Sequence, residues 1–209
     1  MTLRTWTQFD VEIVKALTCQ VRVLSLNQIQ RGWNQPTETV RQQVARLVAT
    51  KLIVAAEWSV VSPPIGLSPM FLWKPGDDSP DAWRLSQAVR IRWKKSASKH
   101  TVFQATDLAA RLFGSSAGRT SRVYERQHDL LLAEVFVRYR RELPSLVEYW
   151  VGEEALPQAE YGVKNPDVFL IDDESRPRRV IESAGAYSQH QVETFHEYCR
   201  LARLSYELR

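Results

Sequence analysis

The sequence predicts an α+β chain in two parts, helices leading into strands at the front and a helix leading into a strand-rich segment at the back. Three observations carry this. Apolar residues recur at helical spacing over residues 9–48, first as Phe9, Ile13, Val14 and Leu17 and later as Val40, Val44, Leu47 and Val48. A third helical stripe, Val123, Leu130, Leu131, Ala133, Val135 and Val137, precedes short β-rich runs at Val168–Ile171 and Arg179–Ala184. Between the two parts, Pro75-Gly76-Asp77-Asp78-Ser79-Pro80-Asp81 is made of turn formers and charge, as a linker should be.

At the front, Thr5 or Thr7 can cap the first helix. A second apolar pattern, Leu24, Leu26 and Ile29, ends near Gly32 and Asn34. Thr37 can cap a third helix, with Glu38 in its first turn near the positive end of the helix dipole. Leu52–Ala56 and Trp58–Val61 then predict a strand, residues 62–66 a loop, and Met70–Trp73 a returning strand. Three helices and a hairpin in this order predict a winged helix-turn-helix over residues 1–75, its third helix disposed to enter a DNA major groove. The outer face of that helix carries Thr39, Arg41, Gln42, Gln43 and Arg46, side-chain types that reach phosphates and base edges. A winged helix used for protein contacts is the alternative, and the near-neutral charge of the segment leans that way.

Charge separates the chain further. Of the net +4, residues 1–83 hold +1, residues 84–126 hold +8 and residues 127–209 hold −5. A basic middle predicts a polyanionic partner, duplex DNA, held by Arg92, Lys94, Lys95 and Lys99; a merely solvated helix face is the plainer reading. Residues 76–121 are expected as a basic linker with a helix around Trp83–Trp93 and a short helix from Thr106 to Phe113, ended by Gly114. The run Lys94–Lys99 is assigned no structure and is expected to be exposed.

Several functions are excluded by composition and spacing. No run approaches the roughly 20 apolar residues of a membrane span and no signal peptide is visible, so a cytoplasmic protein with no membrane partner is expected. Cys19 and Cys199 stand in unrelated contexts, and His190 and His196 miss the i, i+4 spacing of zinc ligands. There is no phosphate-binding glycine loop and no nucleophile elbow.

The back segment, residues 122–209, holds the acids that could carry chemistry. A helix from about Arg122 to Arg141 presents His128 and Glu134 among its apolar residues. A strand is expected at Val147–Val151, another at Val168–Ile171 entered through Asn165-Pro166-Asp167, a turn at Asp172–Pro177, and a hairpin partner at Arg179–Ala184 closed by Gly185. A helix from Tyr187 to about Ala202 and a short strand at Tyr206–Leu208 complete it.

This order resembles the PD-(D/E)xK restriction-endonuclease-like core, with Glu134, Asp167 and Glu182 at the acidic positions. The resemblance implies catalytic acids that hold Mg²⁺, a hard cation that takes oxygen ligands and activates water. It also implies a lysine two positions after the last acid, where this chain has Ala184. No lysine lies nearby, and Gln189 or Gln191 could stand in without charge. With the front half, the pattern resembles the replication-relaxation family of plasmid and mobile-element proteins, which pairs an N-terminal winged helix with a nuclease-like fold carrying an acid-rich strand and a Glu-x-x-Gly-like turn instead of the lysine.

The expectation is therefore a DNA-binding accessory protein of replication, mobilisation or a mobile element, its nuclease-like domain inactive and without a cofactor. Asp167 and Glu182 would hold metal weakly at most. The alternatives are an active Mg²⁺-dependent endonuclease with an atypical site, or a transcriptional regulator whose back half is an interaction domain. A homodimer, or contact with a replication or mobilisation protein, is compatible with each.

Overall fold

The structure, a computed structural model, describes residues 6–61, 68–91, 96–114, 121–153 and 165–209. In chain order the elements are α1 (Gln8–Cys19), β1 (Leu24–Ser25), α2 (Leu26–Gly32), α3 (Thr37–Ala49), β2 (Ile53–Val61), β3 (Phe71–Trp73), α4 (Ala82–Ile91), β4 (Ala97–Ala105) and α5 (Asp107–Leu112). They continue with α6 (Arg126–Glu142), α7 (Pro144–Val147), β5 (Trp150–Gly152), β6 (Val168–Ile171), β7 (Pro177–Glu182), α8 (Gln189–Leu201) and β8 (Ser205–Leu208). The α+β class holds. Among the described residues, no helix is long and apolar enough to cross a membrane.

Local chemistry fixes the helix starts. Thr7 and Asp10 form a capping box on α1, Ser25 and Gln28 one on α2, and Ser188 and Gln191 one on α8. Each satisfies two orphan N–H groups, and the capping side chain alone is worth about 1 kcal/mol. Helix α3 differs from expectation: Pro36 occupies the cap without a side-chain bond, and Thr37 is already helical. Proline presets the backbone for that start and has no N–H to satisfy.

Two sheets share the chain unevenly. The first has the order β1-β4-β2 and the second the order β3-β8-β7-β6-β5. The expected return of Met70–Trp73 along the preceding strand is corrected. Strand β3 pairs antiparallel with β8, matching Phe71 to Leu208, while β2 pairs with β4 over nine positions from Ile53↔Ala105 to Val61↔Ala97. The reason is burial. Trp73 is buried against Tyr206 in a stacked pair with ring centroids 5.7 Å apart. Lys99, expected without structure, is an exposed residue of β4 opposite Ser59.

The expected strand at Val147–Val151 is also corrected. Pro144 starts a one-turn helix, α7, and the strand begins only at Trp150. Proline at a first helical position favours that turn, whereas it would cost a ladder bond in a strand. Val123, expected in the core, is 74% exposed because α6 starts only at Arg126.

Helix α6 joins everything. Leu132, Ala133, Phe136 and Val137 belong to one apolar cluster with Ile13, Ile29, Val40 and Leu47 from the front and Trp150, Val168 and Ile181 from the back. Leu130 packs with Val23, Trp58, Val60 and Val102, so the far end of the β2–β4 ribbon lies against α6. The Arg126 guanidinium covers the Trp58 ring at 5.1 Å.

Candidate functional site

The antiparallel register matches Val168 to Ile181, so the residues just beyond them, Asp167 and Glu182, become neighbours at one end of the sheet. Pro166 biases the chain towards extended entry into β6. The Asp167 amide donates to Glu182 Oε2 at 3.2 Å, and the Ser183 amide donates to Asp167 Oδ2 at 2.7 Å. The Tyr187 hydroxyl, one residue before the cap of α8, donates to Glu182 Oε1. Asp167 and Glu182 are 0% and 1% exposed, so each carboxylate must be satisfied internally.

The first turn of α6 supplies the remaining partner. His128 Nε2 lies 2.9 Å from Asp167 Oδ2, and Nδ1 lies 3.6 Å from Asp129 Oδ1. Burial opposes a charged imidazole here. The Asp167 charge and the hydrogen bonds to Asp129 and Asp167 outweigh it and raise the His128 pKa to about 10. At neutral pH this ring is an imidazolium between two aspartates.

Behind it the charges continue. Asp129 accepts from the Ser121 hydroxyl and from Arg22 Nη1 at 3.4 Å, and Ser121 Oγ accepts from Gln104 Nε2 at 3.3 Å. Arg22 also reaches Glu153 at 2.9 Å and Glu125 at 3.6 Å. A cavity of about 30 Å³ beside Arg22, His128, Asp129 and Glu153 has room for about one water molecule.

Glu134 goes elsewhere. Its carboxylate receives both terminal nitrogens of Arg31 at 2.6 Å, a two-point ion pair, and Gln28 Nε2 at 3.3 Å. The structure therefore brings Asp167 and Glu182 together but sets Glu134 against α2. His128 stands with the pair instead, six positions earlier on the helix. Ala184, at the lysine position, is fully buried, with its amide on the Arg209 carbonyl.

Sequence reasoning passed over His128. Its signal was an imidazole followed directly by an aspartate, one turn ahead of Leu131 and Leu132 on a face that is otherwise apolar. Tyr187 and Ser183 carried no signal, since they enter through the turn between β7 and α8. As arranged, the acid pair does not fit a Mg²⁺ ion. Asp167 Oδ2 and both Glu182 oxygens already accept hydrogen bonds, whereas Mg²⁺ demands several oxygen ligands in near-octahedral geometry. Among the described residues, no group of three or more His, Cys, Asp and Glu is disposed to hold a metal.

On α3, Val40, Val44 and Leu47 face the core while Thr39, Arg41 and Gln42 are exposed. Gln42 Nε2 donates to Glu38 at 3.3 Å, and Gln43 Nε2 donates to Thr7 Oγ1 at 2.9 Å. Arg46 is paired with Asp10, itself 1% exposed and part of the α1 cap. Arg41 makes no ion pair or hydrogen bond among the described residues. Arg92, Lys94 and Lys95 lie outside the described residues. Comparison with protein-family models, with curated proteins and with solved structures finds no match to this chain.

Proposed function

We propose that the protein is a duplex-DNA-binding accessory protein, of the kind that serves replication, mobilisation or a mobile element, with a nuclease-like core that acts as scaffold and not as catalyst. The winged-helix reading of the front is supported by three helices, α1, α2 and α3, ahead of the antiparallel β2–β4 ribbon, with the sheet order β1-β4-β2. The nuclease-like reading of the back is supported by the order α6, β5, β6, β7, α8, β8, antiparallel through β7 and parallel from β7 to β8.

The observation that carries the DNA reading is the outward face of α3. Arg41 stands exposed between Thr39 and Gln42 on a helix whose opposite face is locked into the core. An uncommitted guanidinium flanked by a hydroxyl and an amide suits a phosphate or a guanine edge. Scaffold function rests on Ala184 and on the closed Asp167–Glu182 pair: phosphodiester cleavage concentrates negative charge, and a methyl group gives it no counter-charge.

A mobility-shift series on duplex DNA from low to high salt tests the proposal. Affinity should fall steeply, with a log–log slope of about −0.9 for each phosphate neutralised. Absence of binding at low salt, or affinity indifferent to salt, would overturn it. Nicking of supercoiled DNA in Mg²⁺ or Mn²⁺ that disappears in an Asp167→Ala, Glu182→Ala double variant would replace the scaffold with an active endonuclease.

A further inference from the structure

We infer that the His128 imidazole stands where the acid pair would otherwise hold a divalent cation, and keeps that pair closed to metal; this rests on the nuclease-like reading of the core.

The geometry argues it from three sides. First, the ring uses a lone pair that a cation would need. Asp167 Oδ2 accepts from His128 Nε2 at 2.9 Å and from the Ser183 amide at 2.7 Å. Glu182 is turned inwards on the Asp167 amide and the Tyr187 hydroxyl. Second, the ring covers the acids. Both carboxylates are at most 1% exposed, whereas 26% of the His128 side chain meets solvent. Third, the ring is held from behind. Asp129 Oδ1 lies 3.6 Å from Nδ1, and Asp129 is itself fixed by Ser121 and Arg22.

The third acid that could complete a cation site is withdrawn. Glu134 is held on Arg31, with both oxygens engaged. With the imidazole in place, the described residues offer a hard cation with six ligands no such set. Removing the imidazole takes away one of the two donors on Oδ2 and leaves the Ser183 amide.

The test titrates the full chain, stripped with chelator, with Mn²⁺ followed by electron paramagnetic resonance. Wild type, His128→Ala, Asp167→Asn and the His128→Ala, Asp167→Asn double variant are compared. Wild type should show no binding that depends on Asp167 up to millimolar Mn²⁺. His128→Ala should gain one Mn²⁺ per chain, and the double variant should lose it. If His128→Ala unfolds in chelator, Mn²⁺ should restore its circular dichroism and leave the double variant unfolded. The inference is overturned by wild-type Mn²⁺ binding that Asp167→Asn abolishes. It is equally overturned by a folded His128→Ala without an Asp167-dependent site, or by an unfolded one that Mn²⁺ does not rescue. DNA affinity of the wild type is measured separately in the mobility shift, so failure here and failure of the DNA reading are told apart.

Discussion

His128 Nε2 meets Asp167 Oδ2 at 2.9 Å across 39 positions of sequence, and this contact ties the start of α6 to the end of the second sheet. It is one link of a chain of charges that begins in the front half at Arg22. From Arg22 it passes through Asp129 and His128 to Asp167 and then, through the Asp167 amide, to Glu182. A charge network that shuts out water is strong when every member is satisfied and costly when one is removed. Its arrangement makes several quantities measurable.

The first is pH. The fold raises the His128 pKa from 6.5 to about 10, because the charge on Asp167 and the Asp129 and Asp167 hydrogen bonds overcome burial. The folded state thus binds this proton more tightly than the unfolded state. Its stabilising contribution is complete below the unfolded value and is lost as pH rises through the folded one. Urea midpoints of wild type and His128→Gln at about pH 6, 8 and 10 measure it. The gap between the two proteins should be widest at the lowest pH and nearly closed at the highest. A gap that widens with pH contradicts the assignment.

Arg41 and Arg46 are separated by little more than one helical turn yet should respond oppositely. Arg46→Ala leaves the buried Asp10 carboxylate without its guanidinium, and loss of a partner to a buried charged acceptor costs about 1–3 kcal/mol or more. Arg41→Ala removes an exposed side chain and should leave the unfolding midpoint unchanged. If α3 reads bases, Arg41→Ala should instead reduce discrimination between DNA sequences by about 1–3 kcal/mol. Competition mobility shifts and urea titrations on both variants distinguish the roles; equal stability losses would contradict this division.

What was legible in the sequence follows a physical line. Helices announced themselves because an amphipathic stripe and a capping residue are both local, as at Thr7 before α1. The Asp167–Glu182 pairing was legible because a hairpin register is nearly local too. Strand partners were not. Nothing in Phe71–Trp73 says that its ladder is at Tyr206–Leu208, and nothing in Ala97–Ala105 says that it completes the front sheet. Placing Glu134 with the acid pair, where His128 stands, fails for the same reason. Helix α6 is buried on several sides, so periodicity cannot tell which polar residue faces the sheet and which faces Arg31.

Glu134 should therefore behave as a strut between α2 and α6. Glu134→Gln keeps the shape and the contact with Gln28 but removes the charge facing Arg31. A hydrogen-bonded charge pair of this kind is worth about 1.5–3 kcal/mol. Denaturant midpoints should fall accordingly, while the His128 titration, followed by nuclear magnetic resonance of its ring, should stay where it is in the wild type. A shifted His128 titration would mean that Glu134 acts on the acid pair after all.

The last prediction concerns how the halves are clasped. At the end of α1, the Gln20 carbonyl accepts from Trp150 Nε1 at 2.9 Å, and Gln20 Nε2 donates to the Val147 carbonyl at 2.8 Å. These bonds draw α1 against β5 so closely that a Cβ on Gly152 would lie 2.8 Å from the Gln20 oxygen. That neighbour is backbone, fixed by two partners, and cannot swing aside as a side-chain tip would. Gly152→Ala should thus push α1 off β5 and lower stability by about 1–3 kcal/mol, the usual cost of inserting a methyl into a packed contact. Because Glu153 follows directly and holds Arg22, the same shift should loosen the Arg22–Asp129 link behind His128. Urea unfolding of Gly152→Ala, with the His128 ring titration measured on the same samples, checks both parts. Wild-type stability would show that the close approach relaxes freely. A lowered midpoint with an unmoved His128 titration would show that the clasp and the acid pair are independent.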